Sequence, residues 1–166
     1  IAAVYQRLAH RPIADHKELL AQGVTGSAEK IAKRFAVGDQ SLLLGAASFF
    51  EGIDYPDRLL EMVILTRLPF DAPEAAITKA RYERLQAAGR DPFTEDALPR
   101  ATLRLRQSFG RLIRTETDRG IFVVLDPRFI TTRYGRKMQK SLPNIKPMTL
   151  PLTDMPGYIK MWLDRA

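Results

Sequence analysis

Short apolar runs alternate with helical patterns along this chain, and that alternation is what most constrains its fold. The runs are nearly continuous in apolar residues, which is typical of strands covered on both faces of a sheet. Strands separated by helices form βαβ units, so the strands are expected to be parallel. The sequence therefore predicts an α/β fold, a mostly parallel β-sheet flanked by helices on both faces. The predicted strands lie at residues 18–24, 41–47, 61–70 and 120–126.

Helix boundaries are marked by capping residues and by glycine and proline. Ser27 predicts the cap of a helix that runs through Phe35 and ends at Gly38. A second helix has Pro73 in its first turn and Gly89 at its end. A long helix is predicted from about residue 97 to 114, followed by the last of the four strands. Residues 147–152 are expected to form a short edge strand, and a closing helix is expected to be capped near residues 153–154.

Composition restricts the class of protein. The 166 residues are 45% hydrophobic and 27% charged, which fits one globular domain. No apolar run approaches the ~20 residues of a membrane span, so no membrane partner is expected. The absence of cysteine excludes disulfides and thiolate metal sites in this chain and is compatible with a cytoplasmic setting. His10 and His16 are six residues apart and lie on different faces of a helix, so they are interpreted as surface residues and no metal site is expected. The first residue, Ile1, lies inside a helical pattern, which favours a piece of a longer protein.

Arginines form a stripe on the long helix. At 100° per residue, Arg100, Arg104, Arg111 and Arg114 lie within about 80° of one another, with Gln107 among them. No Asp or Glu lies between residues 97 and 114. Guanidinium groups suit phosphate, and the formal net charge of +7 favours an anionic partner such as nucleic acid or nucleotide phosphates. A solvated basic face is the equally weighted alternative at this point.

A loop rich in small and acidic residues follows the second predicted strand. Ligands of parallel sheets bind beyond the carboxyl ends of the strands. Gly52 lets backbone approach a ligand closely, while Glu51 and Asp54 add carboxylates, of which Asp54 suits a ribose hydroxyl. A simple turn is the favoured alternative for this loop taken alone. Together, the loop and the arginine helix are expected to line one rim of the sheet, although the chain contains no phosphate loop of its own.

Several segments resemble helicase motifs in the right order. "SFFEGIDYP" resembles motif V of superfamily-two helicases, and "QSFGRLIRTETDRG" resembles motif VI, Q-x-x-G-R-x-x-R. "VILTRLPFDAP" is similar to the segment between them in DinG/XPD-type DNA helicases. "LPRATLRLRQSFGRLIR", "GIFVVLDPR" and "RYGRKMQKSLP" are similar to the DinG branch in particular. The resemblance covers roughly residues 42 to 143.

The resemblance implies a second RecA-like motor domain spanning residues 1–166, with its first strand and the first motor domain preceding Ile1. ATP and Mg²⁺ would be held mainly by that first domain, which is the expected partner within the same chain. Arg111 and Arg114 match the arginines that reach the ATP γ-phosphate, and their implied role is catalytic. The remaining residues implied by the motifs are Gln107, Gly110, Glu51, Gly52 and Asp54 at the nucleotide, and Ser48, Phe49 and Thr66 at single-stranded DNA.

The expected function is therefore that of an ATP-dependent DNA helicase or translocase of DinG type. The isolated chain is expected to be inactive, because it has no phosphate loop. The alternative is a helicase-like module that binds single-stranded DNA for a DinG-type exonuclease, with little or no unwinding.

Overall fold

The computed structural model describes residues 1–11, 17–38, 40–46, 60–143 and 147–164. Its contacts divide the chain into two compact units, Ile1–Leu59 and Leu60–Ala166, and each is described by itself. Helices alternate with parallel strands in both units, which confirms the predicted α/β class with a RecA-like fold. That the two units make up a single domain stays a prediction.

In its described residues, the first unit contains one pair of parallel strands. Ser27 caps α2, because its hydroxyl accepts a hydrogen bond from the Lys30 N–H at 3.3 Å, and Gly38 ends the helix as predicted. The helix buries Ile31 against Leu20 of β1, which forms the small core of this unit. The elements are α1 (Ala2–Ala9), β1 (Glu18–Ala21), α2 (Ala28–Val37) and β2 (Ser41–Leu44), with β1 and β2 paired in parallel.

The second unit contains the other parallel pair and the remaining helices. Met62 of β3 lies opposite Ile121 of β4, and α4 packs against both strands. The apolar face of α4 is buried, and Phe109 meets Phe122 of β4 edge to face at 5.4 Å between ring centroids. The elements are β3 (Met62–Leu65), α3 (Ala76–Ala87), a π-helical turn (Phe93–Ala97), α4 (Leu98–Leu112), β4 (Ile121–Val124), α5 (Arg128–Thr131), α6 (Arg133–Lys140) and α7 (Met155–Leu163).

Two expectations about strands were wrong. The predicted edge strand at residues 147–152 does not form, because Pro147 and Pro151 cannot donate to a ladder. The third predicted strand ends at Leu65 rather than at Phe70. Its next buried donor, the Leu68 N–H, bonds to the Asp126 carboxylate at 2.9 Å instead of to a neighbouring strand.

Candidate functional site

The motif Q-x-x-G-R-x-x-R occupies the last six residues of α4 and the two residues that follow the helix. Leu112, the last residue of the helix, is buried and lies directly against Gly120, where a Cβ atom would overlap its side chain. Gly120 precedes β4 immediately, so α4 ends beside the start of that strand. Arg111 and Arg114 therefore lie at the amino edge of the β3–β4 pair.

The motif side chains differ in exposure. Gln107, Gly110 and Arg114 are exposed, and Arg111 is half-buried. The loop that carries Arg114 is held by one carboxylate: Asp118 Oδ2 accepts the N–H groups of Arg114 at 2.7 Å and of Thr115 at 2.8 Å. The segment leaving α4 thus has a fixed backbone next to the motif.

Gly110 has no packing reason to be glycine within the part of the chain that the structure describes. An added Cβ there would meet no described atom within 4 Å. A glycine inside a helix costs about 1 kcal/mol relative to alanine. The role of Gly110 at the nucleotide stays a prediction.

Arg100 and Arg104, the two stripe arginines outside the motif, pair with a carboxylate from another segment. Arg100 Nε donates to Asp71 at 3.1 Å, Arg104 bonds to the same carboxylate, and Arg81 Nη2 reaches it at 2.9 Å. Burial raises the pKa of Asp71, but hydrogen bonds from Arg104 and Arg100 outweigh it and leave that pKa below its usual value. Asp71, which comes from a distant segment, is therefore an acidic partner of Arg100 and Arg104, although α4 itself contains no Asp or Glu.

The two halves of the stripe also lie at opposite edges of the strands. Asp71 follows β3, and Arg104 also approaches the Pro69 carbonyl at 3.4 Å, on the carboxyl side of that strand. Arg111 is seven residues further along α4, which is about 10 Å. A helix that precedes a parallel strand delivers its last turn to the amino edge, so the motif arginines lie at that edge of the β3–β4 pair. The expectation that they share one rim with the loop around Gly52 stays a prediction, because that loop lies outside the described residues.

Thr66 and a buried carboxylate mark the carboxyl edge. Thr66 is exposed and comes directly after β3. Asp126, 6% exposed, accepts the Leu68 N–H and the Arg128 guanidinium, with Arg128 Nη2 at 2.6 Å. The Arg128 hydrogen bond is the main reason that the pKa of Asp126 falls to about 2. Asp126 therefore ties the loop after β3 to the loop after β4.

The five site residues predicted in the first unit lie outside the described residues: Ser48, Phe49, Glu51, Gly52 and Asp54. Their roles stay predictions. Within the described ranges, no group of three or more His, Cys, Asp or Glu residues could hold a metal ion. No helix in these ranges is long and apolar enough to cross a membrane.

Sequence reasoning missed Asp71 and Asp126 as organising residues. The sequence did offer a signal for Asp126, because this residue directly follows the apolar run of a predicted strand, at the end of "GIFVVLD". A carboxylate at that position lies at the edge of the sheet. Asp71 had only its place after the run that ends in "LPF". Its partners lie at least ten residues away, beyond the reach of a local pattern.

An α/β fold with this motif on the last turns of a helix is typical of helicase C-terminal domains. The helicase C-terminal domain family matches residues 1–145, and the chain belongs to that family. The motifs had predicted this membership.

Curated relatives extend the comparison. The 3'-5' exonuclease DinG of Bacillus subtilis is 38% identical over 157 residues, 94% of this chain and 17% of that protein. The ATP-dependent DNA helicase YoaA of Haemophilus influenzae is 41% identical over 129 residues, 78% of this chain and 20% of that protein. The ATP-dependent DNA helicase DinG of Photobacterium profundum is 40% identical over 141 residues, 82% of this chain and 20% of that protein. The chain thus spans a fifth or less of the length of these relatives.

Proposed function

We propose that this chain is the second motor domain of a DinG-type ATP-dependent DNA helicase or translocase. Arg111 and Arg114 would stabilise negative charge on the γ-phosphoryl group of ATP, which is held mainly by a first RecA-like domain together with Mg²⁺. Gln107 and Gly110 would shape the surface that meets the nucleotide. Closure of the two domains around ATP, and their release after hydrolysis, would move the protein along single-stranded DNA.

The placement of the motif at the end of α4 is the observation that carries this proposal. An arginine acts on a phosphoryl group of another domain only if it projects from an accessible surface on a firm support. Arg114 is exposed, Arg111 is half-exposed, and the helix beneath them is anchored by buried Leu105, Phe109 and Leu112. The loop that follows is fixed by Asp118.

In this proposal the two edges of the β3–β4 pair bind different ligands. The motif arginines lie at the amino edge, and exposed Thr66 lies at the carboxyl edge. Four residues of strand separate the edges, about 13 Å. Nucleotide would bind at the amino edge and single-stranded DNA at the carboxyl edge. Closure of the two domains on ATP would then move the surface that holds DNA.

A second function is favoured by one relative. The Bacillus subtilis DinG is named a 3'-5' exonuclease, and it matches most of this chain. The alternative is therefore a module that holds single-stranded DNA for a nuclease, with little or no unwinding. Sequence encoded before Ile1 separates the two: a phosphate loop and an acidic box favour the motor, whereas an acidic exonuclease pattern beside a degenerate phosphate loop favours the module.

The experiment is ATP turnover by the full-length protein with saturating single-stranded DNA. Arg111→Ala is expected to lower kcat by about 10³-fold, the loss typical of an arginine finger. The KM for ATP should change much less, because the lost interaction strengthens in the transition state.

Arg106→Ala is the matched control, since Arg106 is an exposed arginine on the same helix and outside the motif. Its kcat should stay within a few-fold of wild type. Turnover by Arg111→Ala equal to that of Arg106→Ala would refute the motor role of Arg111.

A further inference from the structure

Helix α6 carries a straight row of cations, which we call the α6 basic row: Arg133, Arg136, Lys137 and Lys140. Their spacing of i, i+3, i+4 and i+7 places them within an arc of about 100° on the helix. From first to last the row is about 10 Å long. The opposite side of α6 is buried through Gly135 and Met138.

The α6 basic row has no carboxylate partner within the described ranges. All four side chains are exposed, and Arg136 makes a long bond, 3.4 Å from Nη1 to the Ile130 carbonyl. The sequence contains no Asp or Glu from residue 127 to residue 153. Helix α4 also contains no acidic residue, but there Asp71 from another segment pairs with Arg100 and Arg104.

The helix beneath the row is firmly held. Met138 is fully buried, and Gly135 lies so close to the Arg128 and Phe129 carbonyl oxygens that a Cβ would not fit. Tyr134 packs edge to face on Phe70 and Phe93, with ring centroids 5.9 and 5.2 Å apart. The cations therefore project from a rigid base, which reduces the entropy lost when they bind a ligand.

The α6 basic row lies on the same side of the strands as Thr66. Helix α5 begins shortly after Leu125, the loop residue at the carboxyl end of β4, and α6 packs on α5. Phe70, which contacts Tyr134, follows the carboxyl end of β3. The row and Thr66 thus share the edge opposite the motif arginines.

We propose that the α6 basic row binds consecutive phosphates of single-stranded DNA. This inference rests on the proposed function, in which that strand meets the carboxyl edge. Repeating phosphates on one strand match a linear row of cations about 10 Å long on a convex helix. A solitary anion would use only one or two of the four cations.

The test compares DNA affinity of the full-length protein with that of Lys137→Gln/Lys140→Gln, using oligo-dT over a range of salt concentrations. Losing two phosphate contacts should reduce the slope of log K against log salt by about 1.4. If the two proteins bind equally at 1 M salt, the same relation makes the variant bind DNA about 25-fold more weakly than wild type at 0.1 M salt, with a much smaller difference at 0.5 M. The matched control is Lys30→Gln/Lys79→Gln, which removes two exposed lysines from other helices and changes net charge equally.

An affinity and slope equal to those of the control overturn the inference. A loss seen with duplex DNA and absent with oligo-dT also overturns it, because the row would then serve duplex. ATP turnover separates this result from the proposed function. The lysine variant should reach the wild-type kcat at saturating DNA while needing more DNA for half-stimulation. Unchanged turnover by Arg111→Ala would refute the motor role of Arg111. The DNA contact of the α6 basic row would still be tested by the slope of log K for DNA binding against log salt.

Discussion

Replacing Asp126 by asparagine tests how the two loops at the carboxyl edge are held together. The carboxylate accepts the Leu68 N–H at 2.9 Å and the Arg128 N–H at 3.0 Å. It also accepts Arg128 Nε at 2.9 Å on Oδ1 and Nη2 at 2.6 Å on Oδ2. Asparagine keeps one acceptor oxygen, but its NH₂ group would face donors of Arg128 or Leu68.

The magnitude follows from the pKa of Asp126, which is about 2 in the folded protein against 3.8 for the free side chain. That difference corresponds to about 2 kcal/mol of stabilisation by the ionised form. Because the folded pKa is the lower one, the stabilisation is complete above about pH 4 and is lost as the pH falls towards 2. Near pH 3, about half of it should remain.

Hydrogen exchange measured by mass spectrometry on the full-length protein reports the local stability of the two loops that Asp126 connects. Peptides covering residues 60–70 and 121–131 should lose about 30-fold in protection at pH 7, and the deficit should shrink at pH 3. Asp164→Asn, at an exposed aspartate, is the control and should change neither peptide. Wild-type protection in Asp126→Asn, or a deficit that does not shrink in acid, would refute the reasoning.

Two further substitutions probe the packing around the sites. Asp71→Asn removes the negative charge and one of the two acceptor oxygens that Arg81, Arg100 and Arg104 share, so the second unit should lose about 1–3 kcal/mol of stability in hydrogen exchange while kcat for ATP is retained; loss of turnover without loss of protection would contradict this. Gly135→Ala would press a Cβ on the Arg128 and Phe129 carbonyls, so Tm should fall by the equivalent of about 1–3 kcal/mol. Gly157→Ala, which meets no described atom within 4 Å, should leave Tm unchanged or slightly higher, and an equal Tm for both variants would be the contrary outcome.

Local signals in the sequence predicted the elements well. Ser27 and Gly38 bracket α2 because capping depends on residues a few positions apart. The apolar residues of α4 recur with the helical period, so the sequence predicted which side of the helix is buried. The end of β3 was not readable, because it depends on Asp126, 58 residues from Leu68.

The candidate site divides in the same way. The order of motif residues predicts Arg111 and Arg114 as site residues through resemblance, whereas periodicity alone gives the four arginines of α4 the same face of the helix. Asp71 pairs with Arg100 and Arg104, which lie 29 and 33 residues away along the chain, so no local pattern could predict these contacts. The edge that the motif occupies follows from chain direction, since α4 leads into β4 and ends at that strand's start.

Binding of a transition-state analogue to the full-length protein tests the central claim most directly. ADP with aluminium fluoride and Mg²⁺ imitates the transferring phosphoryl group, whereas ADP alone does not. If Arg111 acts on that group, Arg111→Ala should weaken the analogue by about 100-fold or more and ADP by only a few-fold. Equal losses for both ligands, or none for either, would contradict the account.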